Sequence, residues 1–95
     1  KIGRYGRLRL KFLKEEMKPV YTKMLMEDTL TDYLLEVDAR ATDMENMLIN
    51  EMKKYQNIDE KLKEKDQMKW VGAMNMIAYS AREMVLGKCI NTYNI

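Results

Sequence analysis

Histidine is absent from this 95-residue chain, while serine, cysteine and proline occur once each, as Ser80, Cys89 and Pro19, and glycine four times. Each shortage removes a class of chemistry. Without histidine, neither Cys89 nor Ser80, which is set in an apolar segment, has the base that would activate it, so the usual nucleophile-and-base pairs cannot form. No catalytic residue is assigned. The ligand set of a zinc site is missing as well. Gly3 and Gly6 precede no Lys-Ser or Lys-Thr pair, which excludes a phosphate-cradling loop. A lone cysteine cannot close an intramolecular disulfide, so a reducing compartment, the cytoplasm, is expected. No apolar run of eighteen residues and no signal-peptide core occurs, so neither membrane spanning nor export is expected. The expectation is a non-enzymatic protein without metal or cofactor that acts by binding.

What is present is a helix former's composition: 46 % apolar and 34 % charged residues. Such a chain folds as one domain, 1–95, at a size where burial leaves only a modest surplus over chain entropy. The net charge of +2 hides a segregation. Residues 1–26 carry eight basic groups against Glu15 and Glu16, whereas the remainder carries nine basic and thirteen acidic groups. Residues 1–28 thus read as a basic helical arm, and 29–95 as an acidic body.

Periodicity predicts four helices and no strand, an all-α fold in which two short helices pack with a long antiparallel hairpin. The first helix runs from Gly3 to Met17 and is interrupted at Lys18-Pro19; the second covers Val20 to Glu27. TLTD (29–32) has capping-box form and opens a third helix to Tyr55; NIDE (57–60) has it too and opens a fourth, ending between Gly87 and Ile90. At 1.5 Å per residue the long pair spans roughly 40 to 45 Å, so something should project. Leu30, Leu34, Val37, Ala41, Met44, Leu48, Met52 and Tyr55 share one band of the third helix, facing Trp70, Ala73, Met74, Ile77, Ala81, Met84 and Val85 of the fourth. Asp32, Glu36, Asp43 and Asn50 fall opposite, as a solvated face rather than a metal site. KLKEKDQMK (61–69) should be the exposed tip.

Two surfaces remain as candidate sites. Met68, Gly72, Tyr79, Leu86 and Ile90 form a second apolar stripe on the fourth helix, which needs a cover: either the first two helices or another copy of the chain in a homodimer. Gly72 costs about 1 kcal/mol relative to Ala inside a helix, a cost that a close helix crossing would explain. Ten methionines give the apolar surface an adaptable character. On the first helix, Arg4, Arg7, Lys11, Lys14 and Lys18 fall on a face about 80° wide. Like charges at i,i+4 spacing repel, so the stripe calls for a polyanion, for the protein's own acidic surface, or for solvent alone.

The segments GRYGRLRLKFLKE, YTKMLMEDTL, LLEVDARA (34–41), DQMKWVGAMNMI (66–77) and AREMVL (81–86) resemble the TnpV family of small proteins encoded on transposons and integrative elements of low-GC Gram-positive bacteria. The resemblance runs over nearly the whole chain, and the QMKWV…MN block is its most specific part. Members carry a short extension before GRYGRLR, so residues ahead of Lys1 are expected. The resemblance implies a setting on mobile DNA and no enzymatic activity. The stripe, Arg4 to Lys18, is therefore expected to bind nucleic acid or a nucleoprotein complex. The alternative is an anti-defence, anti-CRISPR-type inhibitor that binds a host nuclease.

Overall fold

The computed structural model describes residues 2–95, which form helices and no strand. Five α-helices follow in order: α1 (Arg4–Glu16), α2 (Lys18–Glu27), α3 (Leu30–Gln56), α4 (Glu60–Lys65) and α5 (Gln67–Val85), with a π-helical turn at Leu86–Ile90. The molecule is elongated, 56 × 21 × 18 Å. Most of that length is α3, whose 27 residues extend about 40 Å.

Chain breaks fall where the backbone demands them. Pro19 sits in the first turn of α2, where its missing N–H is no loss. Asp28 (φ 60°) and Asn57 (φ 58°) take the left-handed conformation that ends α2 and α3. Asn57 therefore closes a helix instead of opening one. The N-cap of α4 is Asp59, whose carboxylate accepts from Leu62 N at 3.0 Å. Thr29 is the N-cap of α3, but its side chain makes no capping bond.

The single fourth helix expected from the sequence is divided at Asp66. There the backbone leaves helical geometry (φ −151°, ψ 88°), and the Asp66 carboxylate accepts from Lys69 N at 3.1 Å to start α5. Long α3 is thus answered by a short α4 and a separate α5. The 61–69 segment is exposed apart from half-buried Leu62.

Two apolar clusters hold the helices together. Tyr5, Val37, Ala41, Val85 and Ile90 form one, with Met44, Leu48, Leu86 and Cys89 packed on it; Leu13, Met17 and Leu34 form the other, beneath Phe12, Val20 and Met24. Ile77 and Ala81 are buried as the seam predicts, whereas Leu34 packs against α1 rather than facing α5. Both clusters use α1. Its N-terminal turn has no acidic residue and no side-chain cap of its own. The missing acceptor comes from α3: Asp38 Oδ1 takes the Gly6 N–H at 2.9 Å. A Cβ on Gly3 would lie 2.7 Å from Asp38 Oδ2, and one on Gly6 would collide with the Ile2 side chain and crowd Leu34 O at 3.2 Å. Both glycines let α1 approach that carboxylate closely. Asp38→Ala is expected to cost about 1 kcal/mol, and Asp38→Asn, which keeps an oxygen acceptor, much less. Chemical denaturation of the two variants checks the difference.

Candidate nucleic-acid interface

Helical stepping and the close seating of α1 on α3 decide which basic residues reach solvent. Tyr5, Gly6, Arg9 and Leu13 are turned inward, which leaves Arg4, Arg7, Lys11 and Lys14 on the outer side, and Lys18 opens α2 beyond them. All five stripe residues are exposed. Arg4 alone meets the acidic body, through Glu45 at 3.7 Å, the one ion pair among the described residues. Glu45 is mostly covered while Arg4 remains open, so this contact is weak and salt-sensitive. Arg4 also lies over the Tyr5 ring, 4.9 Å from its centroid. The Tyr5 hydroxyl is buried without a hydrogen-bond partner. Burial pushes its pKa above the usual phenol range, the Glu45 carboxylate adds to the rise, and Arg4 opposes it.

The remaining four cations have no carboxylate partner among the described residues. Arg7 Nη1 donates to Ile2 O at 2.9 Å, and Lys14 lies 5.7 Å from the Tyr21 ring centroid. Arg7, Lys11 and Lys14 border, with Leu10 and Glu15, an open depression of about 270 Å³. Such a row of exposed cations on one helix face suits a repeating anion such as a phosphate backbone. No group of three acidic or cysteine side chains comes together as a metal site among the described residues.

The second stripe is brought together only in part. Met68 and Tyr79 are exposed, and no atom lies within 4 Å of where a Gly72 Cβ would stand. The crossing helix expected at Gly72 is not supplied by this chain. Leu86 is half-buried against the core and Ile90 is 1 % exposed, so neither belongs to the outer surface. The π turn is the reason: it rotates the chain less per residue than an α-helix does, and it holds Ile90 on the inner side.

Arg9 went unrecognised among the basic residues. It is 1 % exposed and donates from Nε to Tyr33 Oη (3.0 Å), from Nη1 to Ile90 O (2.7 Å) and Thr92 O (2.6 Å), and from Nη2 to Asn94 O (3.0 Å). The signal was available, since Arg9 stands four residues from both Tyr5 and Leu13 on the inward face.

No helix among the described residues is long and apolar enough to cross a membrane. No curated protein and no solved structure matches the chain. A family model described as transposon-encoded protein TnpV matches residues 1–90, which include the Gly3–Gly6 turn, its Asp38 acceptor and the whole basic face. The chain belongs to the TnpV family of transposon-encoded proteins.

Proposed function

We propose that this protein is a non-enzymatic accessory of a mobile element that holds nucleic acid, alone or within a nucleoprotein complex, through Arg4, Arg7, Lys11, Lys14 and Lys18. The observation that carries this reading is the exposure of all five, with only Arg4 engaged by a carboxylate. Membership in a transposon-encoded family supports a role on a mobile element. The stripe contains no Asn or Gln to read adenine, so its contacts mostly position the protein, and a guanine reached by Arg4 or Arg7 is the one base contact it offers.

The test is the salt dependence of binding to a labelled duplex. If four or five phosphates are neutralised, log K falls with log salt at a slope of about −4. Converting Arg7, Lys11 and Lys14 together to Gln leaves helicity intact, flattens the slope to about −1 to −2, and weakens binding to all sequences alike. Absence of binding to duplex or single-stranded DNA or RNA at low salt overturns the reading. The favoured reading would then be the inhibitor of a host nuclease, for which the exposed Asp32, Glu36 and Asp43 of α3 supply a phosphate-like row.

A further inference from the structure

The outer face of α5 remains unexplained by the fold. Met68, Met76 and Tyr79 are 82 %, 66 % and 58 % exposed, although side chains of their size are the ones a small domain gains most by burying. At 100° per residue they share one side of α5 with Gly72 and Glu83, opposite Ile77, Ala81 and Val85, which are buried. Gly72, in mid-helix, weakens α5, and nothing in its own chain makes use of the space it leaves.

We propose that this face binds a second copy of itself, the two α5 helices running antiparallel about a two-fold axis with Tyr79 of each seated on Gly72 of the other. In an isologous antiparallel pair, residues equally far on either side of the axis meet. Placing Tyr79 opposite Gly72 puts the axis between Asn75 and Met76. A large ring then fills the open position of a missing side chain, twice, and Met76 meets its own counterpart. The same register brings Glu83 of each copy beside Lys69 of the other, on the same edge of the interface. Both residues are exposed and without an ion-pair partner among the described residues. The face is therefore complementary to itself in shape and in charge. Its apolar stretch, residues 68–79, is only about 17 Å long, which makes the association reversible and concentration-dependent.

Sedimentation equilibrium of the full chain, free of nucleic acid, tests this independently of the basic stripe. The unmodified protein is expected to move from monomer to dimer as concentration rises. Gly72→Leu decides the matter, because a Cβ there meets no neighbouring element of its own chain: the variant should stay folded, with an unchanged helical spectrum, and remain monomeric. Glu83→Lys should weaken the dimer at least tenfold, and adding Lys69→Glu to it should restore association by reversing both charges. Met76→Cys in a Cys89→Ser background should cross-link to its counterpart on oxidation. A monomer at every concentration, or a dimer indifferent to Gly72→Leu and to the charge exchange, overturns the proposal, including the case in which the face captures only a different protein.

Discussion

Arg9→Met should loosen residues 91–95 from α1 and lower stability by about 2 to 4 kcal/mol, although it removes a buried charge that no carboxylate balances. The side chain is 1 % exposed and satisfied wholly by neutral oxygens: the Tyr33 hydroxyl and the carbonyls of Ile90, Thr92 and Asn94. The Phe12 and Tyr33 rings flank the guanidinium at 5.5 and 5.9 Å, adding cation–π attraction. Hydrogen bonds to a charged group contribute about 1.5 to 3 kcal/mol each, and the cost of taking the guanidinium out of water offsets part of that sum. Methionine fills similar space and donates nothing, so acceptors now buried are left unpaired. Arg9→Lys should rescue little, because one ammonium cannot reproduce a planar fork spread over three carbonyls. Hydrogen exchange at residues 91–95 and thermal unfolding report the loss, each kcal/mol moving the midpoint by about 4 to 8 °C in a domain of this size. Unchanged exchange in the Met variant would contradict the anchoring role.

Leu34→Ala is the second large effect, expected at about 2 to 5 kcal/mol. Leu34 is 1 % exposed and packs with Leu13 and Met17, so its loss opens a cavity where α1 meets α3. Leu48→Ala, one turn of the seam beyond Met44, should cost clearly less, since Leu48 is only half-buried at the margin of its cluster. Denaturant titration of the pair measures both. Equal losses would mean that the band of α3 is uniformly covered along its length.

That contrast marks how far the sequence could be read. Period 3.6 picked out Leu34, Val37 and Ala41 as inward positions of α3, because a narrow apolar stripe forces one side inward whatever covers it, but the band does not hold to its end, where Tyr55 is 89 % exposed. It could not say what covers each turn, and Leu34 is covered by α1. The break at Asp66 lay hidden because KLKEKDQMK has too little apolar periodicity to place helix ends, although aspartate's preference for a helix start over a helix interior pointed to it. Ile90 was misplaced by assuming a constant turn through the π-helical segment. Arg4, Arg7, Lys11 and Lys14 lie on the outer side because the stepping there rests on regular α-helix, whereas Lys18 is exposed from the start of α2, beyond the non-helical Met17, and Arg9, grouped with them by charge, was separated from them only by angle.

The Arg9 bonds also set an order of events during synthesis. Three of their acceptors lie 81 to 85 residues away along the chain and the fourth, Tyr33, lies 24 away, so when α1 leaves the ribosome its guanidinium has only water for a partner. Closing so long a loop demands that the intervening helices be collapsed first, and contacts of such separation slow folding. Helices α1 to α3 can assemble early, with Arg9 held by Tyr33 and otherwise still hydrated. Only the emergence of residues 90–94 lets the guanidinium be buried, so this segment joins α1 after the helices that precede it.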